Sequence, residues 1–174
     1  MTVTNEIKKV HVVTTGGTIE KSYDELDGTL ENRTSIMRKE VIDKLRLPYR
    51  DLVFHSILAK DSLYMTDDDR KFIVSSVKGL LKDGCPILIL HGTDTMTVTA
   101  DYMHSQIPNP SLPIVFTGAM RPIGFENADA LQNVTEALIA TTILNPGIYV
   151  SFHGRIFPIP GCRKNREKRT FEAV

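Results

Sequence analysis

The sequence predicts a single α/β domain of three layers, built on a doubly wound and mostly parallel sheet. Three observations carry this. Short apolar runs bounded by turn residues alternate with helical patterns, the order that parallel strands and crossover helices produce. The length, 174 residues, suits one domain that buries roughly two thirds of the surface its unfolded chain exposes. Glycines and hydroxyls cluster at the ends of three apolar runs, where a doubly wound sheet binds its ligands.

Strands are expected at 9–14, 52–58, 86–90, 113–117 and 147–152. After the first strand, residues 22–33 are polar, contain glycine and show no period, so they read as a mobile surface loop. A short helix is expected over 38–45, stopped by Pro48. Thr66 reads as the N-cap of the next helix, with Asp67, Asp68 and Asp69 favoured in its first turn by the helix dipole and an end near Gly84. Three adjacent carboxylates at a helix start cannot converge on one ion, so capping rather than a metal site is read here. Further helices are expected over 95–106, halted by Pro108 and Pro110, and over 127–143, halted by Asn145-Pro146-Gly147. The last basic stretch, 163–169, taken alone, reads as a solvated tail. Together these make a Rossmann-like or flavodoxin-like arrangement.

Composition narrows the function. Lysine and arginine number 21 and aspartate and glutamate 21, for a formal net charge of zero. No global field therefore favours nucleic acid or an anionic membrane, and a small-molecule partner is expected. Cys85 and Cys162 lack any C-x-x-C spacing and read as reduced structural thiols. No apolar run reaches signal-peptide or membrane-span length, which points to a cytoplasmic protein.

The chemistry is expected at Thr14-Thr15-Gly16-Gly17-Thr18, His91-Gly92-Thr93-Asp94-Thr95 and Thr117-Gly118-Ala119-Met120-Arg121-Pro122. Glycine lets backbone turn sharply and approach a ligand, and threonine supplies hydrogen bonds and a possible nucleophile. The bland alternative is that both residues merely make turns and caps. Thr15-Gly16-Gly17-Thr18 also fits the T-G-x-T of a flavin phosphate loop, which keeps a flavodoxin-like carrier open. Val13 stands where that loop wants a hydroxyl, and no aromatic follows 86–90 to sandwich a flavin. Neither G-x-x-x-x-G-K-[ST] nor G-x-G-x-x-G occurs.

Thr15-Gly16-Gly17-Thr18-Ile19 and the run from Gly84 through His91-Gly92-Thr93-Asp94-Thr95-Met96 resemble the two signature segments of bacterial-type L-asparaginases and related glutaminases. Gly118-Ala119-Met120-Arg121-Pro122 resembles a third. The resemblance covers nearly the whole chain, 1–174, as the family's N-terminal catalytic domain without the smaller second domain of most relatives. It implies an amidohydrolase that needs no cofactor and no metal and deamidates L-asparagine, with L-glutamine as a further candidate. By the same resemblance Thr18 is the nucleophile of a covalent acyl-enzyme. Its proton goes to Tyr23 or to a set made by Thr93, Asp94 and Lys164, since a threonine hydroxyl is a poor nucleophile until something takes that proton. A lysine buried beside other donors loses basicity and could serve as a neutral amine. Substrate binding is implied for Gly17, Ser62, Thr93 and Asp94, with Ser62 on the substrate carboxylate and Asp94 on its ammonium. His91 is read as a strand-end histidine without a chemical step.

The sequence departs from the family pattern at Glu20 and Lys21, where a small residue is usual after Thr18-Ile19. Leu63 replaces a polar side chain that helps hold the amino-acid end. In long relatives the second domain of a neighbouring subunit completes the pocket. Without it the site is expected to be finished by another part of the domain in a homo-oligomer, at least a dimer, or to stay open and bind substrate weakly. A catalytically silent domain that binds an amino acid is the remaining alternative.

Overall fold

The computed structural model describes residues 7–23, 30–32, 42–122 and 125–174. Five strands lie parallel: β1 (Lys8–Thr14), β4 (Arg50–Ser56), β5 (Ile87–Leu90), β6 (Pro113–Thr117) and β7 (Gly147–Phe152). The antiparallel β8 (Arg155–Pro158) closes one edge, and the order across the sheet is β4-β1-β5-β6-β7-β8. Counting only the parallel strands along the chain, this is the flavodoxin-like order 2-1-3-4-5. Connections leave β1 and β5 toward opposite faces, so the ligand crevice lies between their carboxyl ends.

The run Ile87-Leu88-Ile89-Leu90 shows why the sheet forms. All four residues are fully buried. Ile87 and Ile89 pack with Ile73, Val77 and Met103 on one face, while Leu88 and Leu90 pack with Val134 and Leu138 on the other. An unbroken apolar run is what a parallel strand covered on both faces requires. Helices α1 (Asp67–Leu80) and α2 (Met96–Gln106) supply the first cover and α3 (Ala130–Ile143) the second. Among the described residues no helix is long and apolar enough to cross a membrane.

Helix α1 begins as its sequence dictates. Asp69 N–H donates to Thr66 Oγ1 at 3.3 Å and Thr66 N–H donates to Asp69 Oδ2 at 2.7 Å, a reciprocal capping box. Lys60 Nζ donates to the same carboxylate at 2.6 Å and, with the Thr66 N–H, holds its pKa down at about 2. Asp67 to Asp69 thus act as helix-start residues. The helix winds into a single 3-10 turn, Leu81–Asp83, and stops at Gly84 in the left-handed region, φ 69°.

Four expectations are corrected. The strand expected at 52–58 is β4, Arg50–Ser56: the chain turns off at Ile57, whose N–H donates to Thr14 O at 3.1 Å, while Ile57 and Leu58 still pack on the core and imitate strand residues in the sequence. Helix α3 starts at Ala130 rather than 127, because Asn127 takes a left-handed φ of 60° and breaks the helical path. In the segment read as a loop, Lys21–Tyr23 (β2) and Leu30–Asn32 (β3) pair antiparallel, with 24–29 outside the described residues. The basic stretch is no tail: Cys162–Asn165 (β9) and Thr170–Ala173 (β10) form a hairpin, pinned where buried Phe171 meets Phe152 edge to face at 4.9 Å between ring centres. Of the helix expected at 38–45, only Ile42–Lys44 is described as a 3-10 turn, and 38–41 lie outside the described residues.

Thr66→Ala removes one half of the capping box and should lower unfolding free energy by about 1 kcal/mol. Urea unfolding at pH 7 checks it, with the midpoint falling and the slope unchanged.

Candidate active site

The turn after β1 is laced to β5. Thr15 donates to Leu90 O twice, from its N–H at 3.1 Å and from Oγ1 at 3.0 Å. That hydroxyl serves structure, as does Thr117 Oγ1, which donates to Ser151 O at 2.8 Å. Gly17 then takes φ 91°, and a Cβ there would lie 2.6 Å from Gly92 N, so only glycine permits this approach. Thr18 opens a 3-10 turn, Thr18–Glu20, and is half-buried, with fully buried Ile19 anchoring the turn beneath it.

A second turn, Ser62–Tyr64, arrives from the other side. Asp61 caps it by accepting from Leu63 N–H at 3.0 Å. A Cβ on Gly92 would lie 2.6 Å from Ser62 Cβ, so Ser62 packs directly against the same glycine. Thr95 Oγ1 donates to Ser62 O at 2.8 Å and locks the two loops. Ser62 is 1% exposed, and its Oγ has no hydrogen-bond partner among the described residues. Leu63 and Tyr64 beside it are exposed.

The hairpin contributes the cations. Lys164 on β9 donates to Thr93 Oγ1 at 2.7 Å and to Asp94 Oδ1 at 3.0 Å. Arg166 Nη2 lies 3.0 Å from the same Asp94 oxygen. Arg163, Lys168 and Asn165 all converge instead on Glu172, which they hold below its ordinary pKa, Asn165 most strongly. Gly17, Ser62, Thr93, Asp94 and Lys164 are therefore brought to one place, with Thr18 adjoining it. The backbone of Tyr23 lies in β2, and its side chain lies outside the described residues.

A polar network that the sequence reading missed supports the loop after β6. Asp129 accepts from the N–H groups of Met120 at 3.0 Å and Arg121 at 3.1 Å, from Asn133 Nδ2 at 3.0 Å and from His153 Nε2 at 2.9 Å. Burial opposes its charge, yet the Met120 N–H, His153 and the Arg121 N–H together hold its pKa below the usual carboxylate range. His153 Nδ1 then accepts from Thr170 Oγ1 on β10 at 3.0 Å. The missed signal was Asp129 lying four residues before Asn133 just past the Gly118 segment, one turn apart on a helix face.

His91 is fully buried, with Nδ1 2.8 Å from Gly92 O and Nε2 unpartnered among the described residues. Burial lowers its pKa to about 4. The ring is thus a neutral wedge under the glycine loop, with one of its two nitrogens partnered among the described residues. A recess of about 490 Å³ lies at the opposite end of the sheet, beside Lys8, Gly84, Pro113 and Pro146. It sits at the amino ends of the strands, away from the ligand crevice of this fold.

Comparison with known proteins identifies the family of the chain. Residues 9–173 match the family described as Asparaginase, N-terminal. The L-asparaginase of Thermococcus kodakarensis is 31% identical over 151 residues, covering 85% of this chain and 45% of that one. A glutamyl-tRNA(Gln) amidotransferase subunit of Nanoarchaeum equitans is 35% identical over 121 residues, 69% of this chain and 30% of that one. The structure of the thermostable L-asparaginase from Thermococcus kodakarensis superimposes with a TM-score of 0.88 at 30% identity, covering 95% of this chain and 51% of that one. The chain spans about half the length of the L-asparaginases it matches.

Gly84→Ala meets nothing within 4 Å and carries only the left-handed penalty of about 1–2 kcal/mol, whereas Gly17→Ala must also push Gly92 away and should lose clearly more, read by urea unfolding of both. The folded ring of His91 resists protonation until about pH 4 while the unfolded one takes its proton near 6.5, so its stability is full above 6.5 and lost as pH falls toward 4. Burial also lowers the pKa of His11, which acts in the same sense, so the comparison is with His91→Asn. That variant keeps a donor for Gly92 O and should flatten the loss between pH 6.5 and 4 by on the order of 2–3 kcal/mol.

Proposed function

Because the chain belongs to the asparaginase family, matching its N-terminal part, we propose that it is an amidohydrolase that cleaves a small side-chain carboxamide with Thr18 as nucleophile. The observation that carries this reading is the pair of hydrogen bonds from Lys164 Nζ to Thr93 Oγ1 and Asp94 Oδ1, set against the Gly17–Gly92 contact that brings Thr18 to the same crevice. Thr18 Oγ attacks the amide carbon and gives up its proton. The carbon–nitrogen bond breaks, the nitrogen takes a proton and leaves as ammonia, and the acyl group stays on Thr18. Water then cleaves that ester, which restores the hydroxyl and releases a carboxylate.

Thr93 is suited to relay the proton. Its oxygen accepts from Lys164, which leaves its own O–H free to point elsewhere, and Lys164 and Asp94 fix its orientation. Tyr23 is the second candidate for the same step. In this reading backbone N–H groups in the turn at Gly17 and at the start of α2 would hold the developing oxyanion. L-Asparagine is the first substrate to try and L-glutamine the second, a choice supported by the relation both to L-asparaginases and to an amidotransferase component.

Ammonia release from both amino acids over a millimolar range tests the proposal. Thr18→Ala, checked for folding by circular dichroism, should lower kcat by more than about 10³-fold. Equal activity in parent and variant would remove Thr18 from the reaction, and folded proteins equally silent on both amino acids and on succinamate, which lacks the ammonium, would favour a binding domain.

A further inference from the structure

We propose that Arg166 sets the substrate class of this site: it turns recognition away from an α-ammonium group and toward carboxamides that carry a carboxylate without one, the mono-amides of dicarboxylic acids. This rests on the reading that the crevice beside Thr18 is where an amide binds, and it concerns how that amide is chosen.

The charge count at Asp94 points this way. Lys164 Nζ and Arg166 Nη2 each lie 3.0 Å from the same oxygen, Oδ1. One anion therefore faces two cations, and no other acid among the described residues pairs with either. An incoming ammonium would be the third cation at one carboxylate, where like charges within about 4–6 Å oppose it. An incoming carboxylate meets the reverse. Arg166 reaches Asp94 through Nη2 and its side chain is 71% exposed, so its fork can still offer donors to a planar anion.

The rest of the crevice agrees. Ser62 Oγ is buried and unpartnered among the described residues, a hydroxyl that an anionic oxygen would satisfy. The Leu63 side chain, next to it and exposed, offers no acceptor to an ammonium. Among the described residues Lys164 and Ser62 Oγ thus add donors beside Gly92, and the hairpin that carries Lys164 supplies Arg166 two residues on.

The products make a test independent of turnover. Titration calorimetry at pH 7 on the full chain compares succinate with L-aspartate, which differs by the ammonium. The parent should bind succinate at least as tightly as L-aspartate. Arg166→Ala should strengthen L-aspartate and weaken succinate, shifting the ratio of dissociation constants roughly tenfold, and Arg166→Lys, which keeps the cation, should leave the order of the parent. L-Aspartate bound more tightly by the parent with a ratio unmoved by Arg166→Ala overturns the proposal, as does absence of binding by either acid at tens of millimolar. Binding in the expected order by a protein that releases no ammonia from succinamate or L-asparagine would uphold the recognition and sink the proposed reaction.

Discussion

Where the chain leaves β1 and β5, Gly17 and Gly92 pack backbone against backbone with no room for a methyl group between them. Parallel strands lie about 4.7–4.9 Å apart, and the loops that leave them ordinarily diverge, since one connection goes to each face of the sheet. Here the two loops stay in contact past the last strand residues, held first by the two bonds from Thr15 to Leu90 O and then by the glycine contact. That contact decides what else can be near. Thr18 follows Gly17, Thr93 follows Gly92, and Ser62 closes on Gly92 from the third side. Any side chain at either glycine would separate the hydroxyls that the proposed chemistry needs together.

The sheet alone does not finish the site. Its carboxyl edge supplies hydroxyls, glycines and the Asp94 carboxylate, but among the described residues no cation from a parallel strand bonds Thr93. The β9–β10 hairpin brings it. Cys162 and Phe171 are buried in the core, while Lys164, two residues along β9 from Cys162, shares its strand face. Burial of two apolar residues therefore aims the ammonium at Thr93 and Asp94. The position of Lys164 is a packing result before it is a catalytic one.

This explains what could be read from the sequence. Strands buried on both faces, such as β5 and β6, announce themselves by unbroken apolar runs, and the glycine turns between them by residues with few other uses. Thr66 with Asp69 marks a helix start because the motif is local. The hairpin was hidden because only Cys162 and Phe171 betray its core contact, while five basic side chains between them imitate a solvated tail. Lys164 was placed at the site only through family resemblance, and nothing in the local pattern singled out Arg166, whose ion pair with Asp94 spans more than seventy residues of chain. Distances of that kind are set by topology and leave no periodicity behind.

Asp129 shows how such a hairpin is kept in register with the loops it serves. Its carboxylate gathers the N–H groups of Met120 and Arg121 from the loop after β6, and passes through His153 to Thr170 on β10. Thr170 pairs with Asn165 across the hairpin, one residue from both Lys164 and Arg166. A carboxylate that accepts this many donors while half-buried stays charged, because each donor favours the ionised form. The same donors fix its direction, so a displacement of the β6 loop would strain Asp129, His153 and Thr170 in turn. The Thr93–Asp94 loop is tied to the hairpin by Lys164, and the hairpin to the β6 loop by His153. Two ties from different strands constrain Lys164 where one salt bridge near the surface would leave it free to wander.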